Sequence, residues 1–220
     1  MSTGGGPKII KDNLIVSLDF GNEKSFPKTG TAAFNLKRNG YDSTLRNGAT
    51  YDTENGGNIT FDGTNDDILI PSVDMRDDYT LEIVVKATGN SLAGAAGYNT
   101  LFGATSTFRF LYHLNGFLLA QIQGTNHLST TGIAPRNQWN VIHYTFNNLT
   151  NQRQWFVNGI GDTILTSASN GFNGNMYIGS HNTINYRMNG KIAITRIYNK
   201  VLSTAEIAQN YNACRGRFGL

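Results

Sequence analysis

The feature that most constrains this chain is its punctuation. Short segments of alternating apolar residues recur from about residue 14 to residue 198. Between them fall turn dipeptides: Asn39-Gly40, Asn47-Gly48, Asn115-Gly116, Asn158-Gly159, Asn170-Gly171, Asn173-Gly174 and Asn189-Gly190. Asn and Gly both tolerate φ > 0, which tight hairpin turns demand. Leu14, Val16, Leu18 and Phe20 alternate with Ile15, Ser17 and Asp19, the period of a strand with one buried face. Ile59, Phe61 and residues 68–70 read the same way. Residues 79–86 (YTLEIVVK) are almost continuously apolar and β-branched, which predicts a strand buried on both faces. Residues 107–124 predict a hairpin turning at Asn115-Gly116, and further strands are expected at 139–146, 153–157, 175–179 and 191–198. Many short strands at regular spacing predict a sandwich or barrel.

One helix is expected, near the C-terminus. Ser203 or Thr204 is a suitable N-cap, and Glu206 lies three residues after Ser203, a capping box. Ile207 and Tyr211 would share a face, and Gly216 would end the helix. The chain has 220 residues, which fits one β-sandwich domain, since these run to about 200–250 residues. The expected organisation is a flexible glycine-rich arm over residues 1–12, a sandwich over 13–212 and a basic, apolar tail over 213–220.

Charge and composition narrow the partners. Lys and Arg number 18 against 15 Asp and Glu, a net +3. The basic residues are scattered apart from Lys37-Arg38 and the pair Arg215 and Arg217, so nucleic acid is not the expected partner. No apolar run approaches the roughly 20 residues of a membrane-spanning helix, so no membrane insertion is expected. The opening MSTGGGP lacks the basic and apolar regions of a secretory signal. A single cysteine, Cys214, allows no internal disulfide. Folding in a cytoplasm is the expectation.

Candidate chemistry is sparse. A retaining glycosidase needs two carboxyl groups about 5–5.5 Å apart, which strands supply at i, i+2 or i+4. The glutamates are Glu23, Glu54, Glu82 and Glu206, and none has a second carboxylate at such an offset on a strand. No catalytic residue is assigned. The turn FDGTNDD brings Asp62, Asp66 and Asp67 together. It reads as an Asx turn, with calcium as the alternative because that ion takes hard oxygen ligands. Asp74, Asp77 and Asp78 form a second acidic loop with the same reading. His113, His127, His143 and His181 show no zinc spacing. Trp139 and Trp155 read as core residues, with sugar stacking as the alternative. Residues 89–99 (GNSLAGAAGYN) are a binding loop or a long connection. In the tail, Arg215, Arg217, Phe218 and Leu220 either dock onto a partner or fold back over the sandwich.

These residues carry a resemblance. LIVSLDFGNEKSFP, then NGATYDTENGGNITFDGTNDDILIP, then Trp139 and WFVNG, then MYIGS and MNGKIAITRIYNKVLSTAEIAQNY are similar, in order, to the concanavalin A-like, laminin-G-like jelly-roll domain. The resemblance implies two antiparallel sheets packed face to face, with one short C-terminal helix, and calcium at the sandwich rim in many relatives. The stretches NLIVSLDFGNEKSFPKTGTAAFNLKRNG and QNYNACRGRFGL resemble jelly-roll domains of tailed-bacteriophage structural proteins. One departure is Ala193 and Ile194, where the strand after Gly190-x-Ile192 often continues with acidic residues.

The implied function is a non-enzymatic virion protein, a capsid decoration, head or tail fibre, acting in assembly and adhesion. Its partners would be other virion proteins or its own subunits. The alternative is a carbohydrate-binding lectin module, calcium-assisted or not, on a phage or bacterial surface and facing cell-surface glycans. An enzyme is the third reading.

Overall fold

The computed structural model of the chain describes residues 7–92, 97–105, 107–131, 133–168, 171–181 and 186–220. Its strands run, in chain order, β1 (Leu14–Asp19), β2 (Ala32–Ala33), β3 (Ser43–Arg46), β4 (Thr50–Asp52), β5 (Asn58–Asp62), β6 (Asp67–Met75), β7 (Tyr79–Ala87) and β8 (Tyr98–Thr105). They continue as β9 (Phe108–His113), β10 (Leu118–Ile122), β11 (Thr125–Leu128), β12 (Asn140–Asn147), β13 (Gln152–Val157), β14 (Ile160–Gly161), β15 (Leu165–Thr166), β16 (Phe172–Ile178) and β17 (Asn189–Tyr198). Helix α1 (Thr204–Phe218) follows.

Two antiparallel sheets form a sandwich, as the strand spacing predicts. One has nine strands in the order β14-β13-β12-β7-β17-β5-β4, with β1 added beside β17 and β15 beside β13. The other has eight, in the order β11-β10-β9-β8-β16-β6-β3-β2. Between them lies one apolar core that includes Phe20, Phe61, Ile83, Phe102, Phe110, Tyr144 and Trp155. Trp139 and Trp155 are both buried, so neither is a surface platform.

Strand β7 is buried on both faces, as its composition predicts. The reason is α1, which lies on the outer face of the nine-stranded sheet. Cys214 and Phe218 pack there on Val84, Trp139, Val141, Ala193 and Ile194. Ile207 packs on Leu14, Phe156, Tyr198 and Leu202. Ala193 and Ile194 therefore carry the helix, and a carboxylate at either place would be buried without a partner.

The helix begins as expected. The Ser203 side chain accepts from the Glu206 N–H while the Glu206 carboxylate accepts from the Ser203 N–H, an arrangement worth about 1 kcal/mol. It ends later than expected. Gly216 stays helical, and Gly219, at φ 69°, forms the C-cap. The residues after 213 are thus the last helical turn, which Phe218 anchors in the sheet. Residues 7–12 are also tied down: the Ile10 N–H donates to Asn210 Oδ1 at 2.8 Å, and Gln209 Nε2 donates to the Lys8 carbonyl at 2.6 Å. The first six residues of the expected arm lie outside the described residues.

The hairpin β9–β10 turns where predicted, with one correction. Only Gly116 takes positive φ. The Gly116 N–H donates to the His113 carbonyl, the His113 N–H donates to the Phe117 carbonyl, and Leu114 joins the turn. A three-residue loop of this kind shifts the register by one relative to a two-residue turn. The shift keeps Phe108, Phe110 and Tyr112 on the same face as Leu118, Ala120 and Ile122, so all six enter the core. No helix among the described residues is long and apolar enough to cross a membrane.

Candidate binding face

Among the described residues no helix covers the outer face of the eight-stranded sheet, and its register lines up one row of side chains there. Leu69 pairs with Tyr177, Tyr177 with Gly103, Gly103 with Arg109, Arg109 with Gln121, and Gln121 with Asn126. Each alternates with a core residue, so the row points away from the sandwich. Arg109 Nε donates to Gln121 Oε1 at 2.5 Å, and Gln121 Nε2 donates to Asn126 Oδ1 at 3.0 Å. The guanidinium and the two amides thus hold one another in place.

Glycine at 103 leaves a gap in the row, and His181 fills it. A Cβ at Gly103 would lie 2.3 Å from His181 Cβ. His181 Nε2 sits 3.3 Å from Arg109 Nη1. Tyr186 covers the guanidinium from above, its ring 4.7 Å from Arg109 Cζ, in cation–π contact. Tyr98 stands edge-on to both Tyr186 (5.6 Å) and His113 (4.6 Å). At the other end of the row Arg46 lies over the Tyr177 ring at 5.0 Å. Tyr98, Arg109, His113, Gln121 and Tyr186 are all partly exposed, and Asn126 is exposed. The result is a shallow strip of aromatic faces beside fixed hydrogen-bonding groups. It suits a flat ligand with an apolar face and a polar edge.

The acidic residues singled out from sequence lie elsewhere. Asp62 Oδ1 accepts from the Thr64 N–H, an Asx turn, and Asp66 Oδ2 accepts from the Asp62 N–H. Asp67 is gripped by Arg46 through both its oxygens, at 2.6 and 2.9 Å, and by Arg187 at 3.2 Å. Burial raises the Asp66 carboxyl. Calcium takes six to eight oxygen ligands, and these three carboxylates do not offer such a set. Among the described residues no group of three or more His, Cys, Asp or Glu is placed to hold a metal. In the second acidic loop Asp74 pairs with Arg76, and Asp78 accepts from the Asn148 N–H.

The C-terminal candidates fold back on the chain. Arg217 donates from Nη1 to Asp19 and from Nε and Nη2 to the Asn55 and Gly57 carbonyls, each at 2.6 Å. Phe218 is buried with its ring 4.9 Å from that of Trp139. Leu220 packs at the margin of the same patch, and exposed Arg215 lies over Tyr211. Burial pushes the Cys214 thiol up to about 12, which leaves it unreactive.

The glutamates are similarly engaged. Glu54 meets Lys86 and Lys191, Glu23 meets Lys28, Glu206 caps α1, and Glu82 is buried beneath the helix with Arg196. Of the histidines, His113 joins the strip at the surface and His181 lies buried under it, while His127 and His143 are buried elsewhere. Residues 93–96 of the suggested binding loop lie outside the described residues, but the segment leads into β8 and so delivers Tyr98.

The architecture and the sequence agree on a class. Residues 62–208 match the family described as the concanavalin A-like lectin/glucanases superfamily. The chain belongs to that superfamily, whose fold serves both enzymes and binding modules. No curated protein matches the sequence. Among solved structures, domain 4 of AbnA, an extracellular arabinanase of Geobacillus stearothermophilus solved with arabinotriose, shares 17% identity. That likeness covers 94% of this chain and 100% of that domain, with a TM-score of 0.70. Trypanosoma rangeli sialidase gives 16% identity and a TM-score of 0.70 over 99% of this chain, which spans 35% of the sialidase. The binding domain of Paraclostridial Mosquitocidal Protein 1 gives 15% identity and a TM-score of 0.70 over 91% of this chain and 52% of that domain. At these identities the likeness is one of fold.

Proposed function

We propose that the chain is a non-catalytic carbohydrate-recognition module whose binding surface is the strip around Arg109 and Tyr186. The observation that carries this reading is the row Gly103–Arg109–Gln121–Asn126 roofed by Tyr186 and flanked by Tyr98. A sugar ring presents apolar C–H faces to aromatic rings, while its hydroxyl pairs suit amide and guanidinium forks. Two similar structures support it: a domain solved with arabinotriose and a toxin's binding domain. The engaged carboxylates support the non-catalytic part, since a glycosidase needs a free acid and a free base or nucleophile.

The test is calorimetry against a panel of oligosaccharides that includes arabinotriose, with and without chelator. Binding that is lost in Tyr186→Ala and unaffected by chelator is expected. No binding by the native chain to a broad glycan array would remove this reading.

The setting we infer is the surface of a tailed-phage particle, with synthesis in the host cytoplasm and assembly onto other virion proteins or its own subunits. Its support is the similarity of the opening LIVSLDFGNEKSFPKTG and the closing helix to jelly-roll domains of phage structural proteins. Antibody to the chain, applied to purified particles under the electron microscope, should give regular label. Label confined to cells would favour a bacterial surface instead.

A further inference from the structure

Arg153 is a charged side chain in the middle of an apolar core. Its strand places it there: Tyr79, Phe146 and Arg153 face one another across β7, β12 and β13, and Leu81, Tyr144 and Trp155 form the next row. All but Arg153 belong to the inter-sheet core. The guanidinium lies 5.2 Å from the Phe146 ring centre and is 1% exposed. Nη2 donates to the Ser167 carbonyl at 2.5 Å, but Nε and Nη1 have no partner. Among the described residues no carboxylate pairs with it. Asp162, the acid on the neighbouring segment, turns its oxygens to the Thr130, Thr131 and Thr163 groups.

Three more buried polar atoms gather around it. The Tyr79 hydroxyl and His127 Nδ1 are buried without partners, and the Tyr144 hydroxyl has only the Arg153 guanidinium beside it. The Tyr79 and Tyr144 rings stack at 6.4 Å, and His127 reaches the Tyr144 ring from the opposite sheet at 5.8 Å. Burial, reinforced by the Arg153 charge, depresses the His127 imidazole to about 4, so it is neutral at ordinary pH. What remains is one fixed positive charge and a set of hydrogen-bond donors. Arginine does not shed its proton to relieve burial, and an unpaired buried charge is strongly disfavoured. A surface cleft of about 210 Å³ beside Ile164 is lined by His127.

We propose that Arg153, Tyr79, Tyr144 and His127 form an internal binding site for a small monovalent anion, a halide or a carboxylate. The anion supplies the missing counter-charge and accepts from Nε, Nη1 and the phenols. The site is separate from the sheet face proposed for sugar, on the other side of the eight-stranded sheet.

The full chain is first exchanged into sodium gluconate, whose anion is the bulkiest of the series and the reference for it. Sodium chloride, sodium bromide and sodium acetate are then titrated at constant ionic strength while thermal unfolding is followed. A saturable rise in the midpoint is expected with chloride and bromide, with acetate, or with both, as binding to the folded state alone demands. The rise should vanish in Arg153→Met and weaken in Tyr144→Phe. A flat native response, or the same rise in both variants, overturns the proposal. Should Arg153→Met fail to fold, bromide-grown crystals of the native chain decide: an anomalous peak within hydrogen-bond reach of Arg153 Nε supports it, and water alone at that place overturns it.

Discussion

The Arg196 guanidinium lies against the Glu82 carboxylate beneath α1, and both side chains are buried. Asn210, from the helix, donates to the same carboxylate at 2.8 Å and to the Tyr198 hydroxyl at 2.9 Å. His143 Nε2 sits 3.4 Å from Glu82 Oε2. Helix and sheet therefore share one polar centre inside an otherwise apolar contact. Removing one partner of such a pair costs about 3–5 kcal/mol because the other is left charged and buried. Glu82→Gln should lose that much in urea unfolding.

The same pair sets a pH dependence. Burial alone would raise the Glu82 carboxyl, but the Arg196 charge and the His143 and Asn210 contacts outweigh it and hold it at about 2, against 4.5 ordinarily. A depressed folded value means stability that is present above the unfolded pKa and lost as pH falls toward the folded one. Between pH 4.5 and 2 the native chain should lose stability more steeply than Glu82→Gln. Parallel acid limbs would remove this account.

The last helical turn should be a point of failure. Phe218→Ala removes a buried ring from the Trp139 patch and should cost about 3 kcal/mol. Arg217→Ala loses three hydrogen bonds and should cost about 1–3 kcal/mol. Both are read as lowered thermal midpoints. A midpoint unchanged in Phe218→Ala would mean the turn is not docked in solution.

On the open sheet, Tyr186→Ala and Arg109→Ala should each weaken oligosaccharide binding by about tenfold or more, with little change in stability. Arg109→Lys should not rescue it, since an ammonium lacks the planar fork. Equal losses of stability and binding would point to a structural role instead.

Gly103→Ala tests the gap in the row. The new methyl would meet the His181 Cβ at 2.3 Å and the His181 Cα at 2.7 Å, so the segment must move. A loss of about 1–3 kcal/mol together with weakened sugar binding is expected, measured by unfolding and calorimetry on one preparation.

Calcium should leave the chain unmoved. With Asp67 committed to Arg46 and Arg187, chelator or added calcium should shift the thermal midpoint by less than about 1 °C. Asp67→Asn should lower it, because two guanidinium groups lose their counter-charge.

The sandwich was legible because its strands keep period two and turns such as Asn47-Gly48 and Asn158-Gly159 carry Asn-Gly. Asn173-Gly174 and Asn189-Gly190, read as turns, instead fall inside β16 and β17, where Gly174 and Gly190 take positive φ within the ladder. Strand β8 was not legible, since bulges between Thr100 and Phe102 and between Gly103 and Thr105 break the alternation in a segment of small residues. The binding strip was not legible. Arg109 and Gln121 fall within the predicted hairpin, but no pattern there marks them out as a pair. Tyr186 gave no signal: it enters from a segment without periodicity, and only the closed sheet brings it over Arg109. The docking of Phe218 was hidden for a similar reason, because Trp139 lies 79 positions earlier in the sequence.

The seating of α1 also gives the molecule a handedness of presentation. Lys8 and Ile10 are bonded to the helix, and Leu220 rests against the patch beside it, so both ends of the described chain emerge on one side. The Arg109 strip faces the opposite way. Anything joined at either end, whether a neighbouring domain, a particle or a sensor chip, acts as a pedestal, with the sugar-facing side held outward.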